Sequence, residues 1–151
     1  MTVFFYKTDE EYGCFSNFSH HGFLVDGKWW PTSEHYFQAK KFEGTKYEES
    51  IRLLDNPMKA AKMGRDSALP LRKDWESVKD DIMRKAVTEK FAQNPAIAAI
   101  LLQTDEQQIV ERTTTDYFWG CGTDGSGKNM LGLILMDTRE ALRKETRCCD
   151  R

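Results

Sequence analysis

The stretch Phe23-Leu24-Val25-Asp26-Gly27-Lys28-Trp29-Trp30-Pro31-Thr32-Ser33-Glu34-His35-Tyr36-Phe37-Gln38-Ala39-Lys40-Lys41-Phe42 decides the fold class. Residues 23–25 and 28–30 are short runs of strand-forming residues, and Asp26-Gly27 between them suits the positive φ angles of a tight hairpin turn. Pro31 cannot donate to a ladder and ends the second strand. Thr32 or Ser33 can accept hydrogen bonds from the first free backbone N–H groups of a helix beginning there. Residues 34–42 are good helix formers. A hairpin therefore leads into a helix, with Glu34 in its first turn.

Working outward, residues 3–6 read as a short apolar strand and residues 9–21 as a polar loop punctuated by aromatic side chains. Gly44 separates the first helix from a second over residues 47–54. Asn56 as cap and Pro57 at the first helical position open a third helix, which Gly64 closes, with Arg65 just past its end. Residues 74–93 form the strongest helix, capped by Asp74, with Trp75, Val78, Ile82, Ala86 and Phe91 approximating an apolar stripe of 3.6-residue period. Asn94-Pro95 opens another helix through residue 102, and residues 109–111 are a short strand or an extended lead into a second aromatic cluster. Gly120, Gly122, Gly125 and Gly127 crowd eight residues too glycine-rich for regular structure. Asn129 caps a final helix that turns Leu131, Ile134, Leu135 and Leu142 inward, and a charged tail lies beyond Lys144. The expected fold is α+β and predominantly α-helical. It is a single compact domain over residues 1–144 with a small antiparallel β element, and residues 145–151 form a charged C-terminal tail.

A chain of 151 residues is sized for one domain, and a net charge of −2 disfavours tight nonspecific binding to duplex nucleic acid while allowing a local basic lining. No run approaches the roughly 18–20 apolar residues of a membrane span, and the N-terminus lacks a secretory pattern, so a cytoplasmic location without membrane contact is expected. Cys148 and Cys149 are adjacent, and Cys14 and Cys121 have no C-x-x-C spacing. His20, His21 and His35 lack the spacing of metal ligands. Neither a disulfide framework nor a metal is indicated. The glycine-rich loop has neither Walker nor dinucleotide-fingerprint spacing, so it is a lid or an anion nest and not a Rossmann turn.

Two clusters carry the chemistry. Residues 30–37 and 116–122 each place one carboxylate, Glu34 or Asp116, among flat aromatic rings, and they read as two walls of one pocket. A helix N-terminus favours an ionised Glu34. Arg65, after a helix end, and Lys128, after a glycine-rich loop, suit phosphate oxygens. His35 either supports Glu34 or packs.

The runs Phe15-Ser16-Asn17-Phe18, Thr32-Ser33-Glu34-His35-Tyr36-Phe37-Gln38-Ala39-Lys40-Lys41-Phe42, Asn56-Pro57, Ala61-Lys62-Met63-Gly64-Arg65, Trp75, Lys90-Phe91, Asp116-Tyr117-Phe118-Trp119-Gly120-Cys121-Gly122 and Lys128-Asn129-Met130-Leu131-Gly132 occur in order. Together they resemble the NADAR family of YbiA-like N-glycosidases from Phe4 to about Leu142. The resemblance implies hydrolysis of a bond between a ribose and a nitrogen base. It places functional positions at Glu34, Trp75, Asp116 and Trp119.

Breaking a ribosyl C–N bond builds positive charge on the sugar and negative charge on the departing nitrogen, so a site needs a carboxylate near the anomeric carbon, a proton donor and a water. Glu34 is expected to stabilise the cation or activate water and Asp116 to act as general acid or base, with the two roles interchangeable. Trp75 and Trp119 are expected to stack on the base, and Arg65, Lys128, Asn129 and His35 complete the expected substrate contacts. Water is the co-substrate, with no cofactor. The resemblance implies hydrolysis of phosphoribosylated aminopyrimidine intermediates of riboflavin biosynthesis or removal of ADP-ribose from guanine in nucleotides or nucleic acid, and the same pocket leaves a third reading, binding of ADP-ribose or a nucleotide without catalysis. The slight net acidity favours the first.

Overall fold

The computed structural model describes residues 1–149. Its elements run β1 (Thr2–Phe5), β2 (Phe23–Val25), β3 (Lys28–Trp30), α1 (Ser33–Lys40), α2 (Lys46–Arg52), α3 (Pro57–Gly64), α4 (Trp75–Gln93), α5 (Pro95–Gln103), β4 (Gln108–Glu111) and α6 (Met130–Cys149). The fold is α+β and predominantly helical. The chain forms two units, one of residues His20–Lys90 and one combining Met1–Ser19 with the chain from Phe91 onward.

In the His20–Lys90 unit, β2 and β3 pair antiparallel in the register Phe23↔Trp30, Leu24↔Trp29 and Val25↔Lys28. Asp26 and Gly27 both have positive φ, 52° and 78°, which matches the twist of a two-residue hairpin. The pair Phe23 and Trp30 is buried, whereas Leu24 and Trp29 on the opposite face are exposed. Trp30 meets Tyr36 of α1 edge to face at 5.0 Å, which fixes the hairpin on the helix. Thr32 is the α1 cap, its hydroxyl accepting from the His35 backbone N–H at 3.1 Å.

Every residue of α1 from Ser33 to Ala39 is buried, so this short helix is the axis of the unit. It packs on α2 and α3. Tyr36 and Ala39 join Phe23, Trp30, Phe42, Ile51, Ala60 and Ala86 in one apolar core. Asn56 caps α3 by accepting from Lys59 N–H, with Pro57 at the first position, as the sequence leads one to expect.

Two details differ from expectation. Gly64 ends α3 in helical geometry and not in the left-handed conformation of a terminating glycine. A Cβ there would collide with the Gln38 amide and lie 2.9 Å from Gln38 Cβ, so Gly64 allows α3 to approach α1. Asp74 precedes α4 as anticipated, but its carboxylate accepts from the Arg72 guanidinium at 2.7 and 3.1 Å, and its carbonyl accepts from Ser77 N–H.

In the other unit β1 and β4 pair in parallel, Thr2 with Gln108 through Phe5 with Glu111. This second sheet adds to the expected antiparallel element. Val3, Phe5 and Ile109 are buried, and Phe5 meets Phe15 edge to face. The α6 helix packs on β4 and α5. Asn129, at φ 53°, does not use its side chain to cap α6. Its Oδ1 accepts from Glu111 N–H at 3.0 Å and its Nδ2 donates to Ile109 O at 2.8 Å, so the amide borders β4 as a further strand would. A Cβ on Gly132 would strike the Ile109 carbonyl, so this glycine lets α6 lie against the strand. Of the expected tail, residues 145–149 continue α6 to Cys149 and residues 150–151 lie outside the described residues; along the helix Glu140 lies 3.5 Å from both Arg143 and Arg147.

Candidate functional site

A helix advances about 100° per residue, so positions 34, 37, 38 and 41 fall on one face. On α1 and its end these are Glu34, Phe37, Gln38 and Lys41. Glu34 is buried at 7% exposure in the first turn. Gln38 Nε2 donates to Glu34 Oε1 at 2.8 Å, the arrangement that suits an ionised carboxylate. The other end of the amide, Gln38 Oε1, is buried without a hydrogen-bond partner and rests against Gly64.

One turn further on, Lys41 Nζ donates to Gly64 O at 3.1 Å, at the C-terminal end of α3 where carbonyls favour a cation. The same ammonium lies 5.9 Å from the Phe37 ring centre and 5.7 Å from that of Trp75. Phe37 and Trp75 contact each other at 5.0 Å with tilted planes. Burial holds the Lys41 ammonium below its usual range; Glu34 opposes that shift and Arg65 adds to it.

Of the residues expected from sequence, this unit thus brings together Glu34, Trp75 and Arg65. Trp75 is buried at 6% exposure, so its ring also packs the unit, and Arg65 is exposed. His35 faces elsewhere. Its Nδ1 is 2.7 Å from Thr32 Oγ1 and its Nε2 is 3.0 Å from Leu54 O, so the ring ties the α1 cap to the end of α2. Burial pushes the His35 pKa down, partly countered by the Leu54 carbonyl.

Within the other unit, Asp116 Oδ1 accepts from Phe118 N–H at 3.0 Å and Trp119 N–H at 2.8 Å, closing an Asx turn that sets the next two rings. Those rings meet edge to face at 4.7 Å. Lys128 is exposed, with Nζ 5.6 Å from the Phe118 ring centre. Asp116, Trp119 and Lys128 therefore share one loop, whereas the side chain of Asn129 is engaged by β4. Among the described residues no group of three or more His, Cys, Asp or Glu side chains is placed to hold a metal ion, and no helix is long and apolar enough to cross a membrane.

Sequence reasoning passed over Phe37, Gln38 and Lys41. The signal was present in the polar spacing 34, 38, 41, but a polar stripe on a helix ordinarily marks its solvated face. Here that face is covered.

The chain is thus a helical α+β protein whose first helix holds a buried carboxylate, bound by an amide, on the same face as an aromatic ring and a lysine ammonium. The model of the NADAR domain matches residues 4–143, and the chain belongs to that family. It is 55% identical over 141 residues to "N-glycosidase YbiA" of Escherichia coli, an alignment covering 93% of this chain and 88% of that one. It is 39% identical to a "Riboflavin biosynthesis protein" of Vibrio vulnificus over 94% of this chain, which spans only 39% of that longer protein. The NMR structure of E. coli YbiA superposes with a TM-score of 0.89 at 53% identity, covering 96% of this chain and 86% of that one.

Proposed function

We propose that the chain is an N-glycosidase that hydrolyses the ribosyl C–N bond of phosphoribosylated aminopyrimidine intermediates of riboflavin biosynthesis. The names of its relatives support the reaction class, and the riboflavin proteins among them support the substrate class. The observation that carries the reading is Glu34: a carboxylate buried in a helix's first turn, held by Gln38 and flanked by Lys41, Arg65 and Trp75.

As the C–N bond lengthens, the sugar becomes cationic, and a carboxylate fixed beforehand stabilises that charge without reorganising. Glu34 serves that role or draws a proton from water. Within the same unit Trp75 offers a face for the base, and Arg65 and Lys41 suit the phosphate. For Asp116, Trp119 and Lys128 the family motif alone supports acid or base work, stacking and phosphate contact, with the roles of Glu34 and Asp116 interchangeable. Phosphorylated substrates do not cross membranes unaided, so the proposed setting is the cytoplasm.

A second reading, removal of ADP-ribose from guanine, is favoured by the electrostatic reach of Arg65 to Lys41, because two cations in the same unit suit a diphosphate as well as one phosphate. Chromatographic release of free base from each substrate, with wild type and Glu34→Gln, tests both. The expected result is aminopyrimidine release that falls about 10²–10⁴-fold in the variant while ligand affinity is kept. Undiminished turnover by Glu34→Gln overturns the catalytic assignment; ligand binding with no release by wild type leaves a binding module instead.

A further inference from the structure

We infer that Gln38 is the positioning residue for Glu34, and that Gly64 is glycine in order to seat the Gln38 amide. The inference rests on the catalytic reading of Glu34 and adds to it two residues that act through that carboxylate.

The argument starts with an imbalance. A buried amide ordinarily satisfies both ends, yet Gln38 donates to Glu34 Oε1 while its own Oε1 is buried without a partner. A side chain chosen only for packing would not carry that unpaired oxygen, and methionine would fill similar space without it. What the amide supplies is an N–H fixed at 2.8 Å from one oxygen of Glu34, which sets the rotation of the carboxylate. Because Gln38 lies one turn after Glu34 on a buried helix, both side chains are held by the same backbone.

The amide is confined by α3. With a Cβ at position 64, Gln38 Oε1 and Cδ would both be struck, and Gln38 Cβ would be 2.9 Å away. The tip of the side chain can swing aside, but its Cβ cannot, so a Cβ at position 64 displaces the amide from Glu34. Helix propensity argues for alanine at this helical, negative-φ position, so the glycine is retained against local preference. Lys41 closes the arrangement by donating to the carbonyl of the same glycine.

The test compares Gln38→Met, Gly64→Ala and the double variant with wild type and Glu34→Gln, reading kcat, KM and melting temperature. Gln38→Met is expected to lower kcat about 100-fold, the scale of a misplacement near 1 Å, with KM within a few-fold and the fold intact. Gly64→Ala is expected to lower kcat similarly. The double variant is expected to fall no further, because both changes release the same carboxylate. Gln38→Glu reads the coupling separately: two adjacent acids share a proton, so the acid limb of the kcat profile moves to higher pH.

Full kcat in a folded Gln38→Met, or strictly multiplicative losses in the double variant, overturns the inference even where Glu34→Gln is inactive. Undiminished activity in Glu34→Gln removes instead the reading on which it rests. Should Gly64→Ala fail to fold, Gln38→Met and the pH limb of Gln38→Glu decide.

Discussion

His35→Ala separates architecture from chemistry at the position next to the proposed catalytic carboxylate. The His35 ring is fully buried and joins Thr32, which caps α1, to the carbonyl of Leu54 beyond α2. Losing two hydrogen bonds costs about 1 kcal/mol each, and losing the packing of a buried ring adds about 1.5–3 kcal/mol. The expected destabilisation at pH 7.5 is therefore about 3.5–5 kcal/mol, read as a shift in the urea midpoint at unchanged slope.

The pH dependence makes the prediction sharper. Burial sets the folded-state pKa of His35 below its ordinary 6.5, so between those two values the unfolded chain binds a proton that the folded chain refuses. Stability falls as pH drops through about 6.5, by at most about 1.4 kcal/mol per pH unit from this group, and the loss ends below the folded value. His21 is shifted in the same direction, chiefly by burial and then by Lys90, but it is present in both proteins and cancels in the difference. Asp55, Asp74 and Glu49 are held low by cationic partners and lose their contribution only in the acid range of carboxylates. Urea titrations of wild type and His35→Ala from pH 7.5 to 5 should therefore show a stability gap that narrows as pH falls. A gap that stays constant across that range refutes the picture of a neutral histidine bridging two helices.

Asp116→Asn keeps an oxygen for the Phe118 and Trp119 N–H groups, so it should retain wild-type thermal stability, whereas Asp116→Ala should lose about 1–3 kcal/mol. If Asp116 moves a proton, the stable Asn variant releases base about 10²–10⁴-fold more slowly; full activity in it would confine the residue to turn-making. At position 129, glycine removes only the two hydrogen bonds to β4, at about 2 kcal/mol, while alanine adds about 1–2 kcal/mol for its left-handed backbone. Equal denaturation midpoints for the two variants would contradict that backbone argument.

What was legible in the sequence was local. Asp26-Gly27 carries its own turn geometry, Thr32 caps α1 and sets its first turn, and Asn56-Pro57 caps α3. What was not legible depends on partners distant along the chain. Thr2 pairs with Gln108, and no periodicity in either segment announces a parallel neighbour that far away. Asn129 has the residue type of a cap, and only β4 beside it reveals where its amide goes. Gly64 has the residue type of a helix terminator, and only α1 reveals that its missing side chain makes room for an amide.

The family resemblance pointed to Glu34 without these partners, because a motif gives residue types in order and not what they touch. The residues around Glu34 needed the fold. Gln38 and Lys41 lie one and two turns downstream at spacings that look like a solvated stripe, and they become a site because α3 covers them. The cover is also what gives them chemical force: an exposed amide or ammonium exchanges partners with water, whereas these are held against a carboxylate and two rings where such contacts are strongest. Glu34 is thus placed by the start of its own helix and constrained by the end of α3.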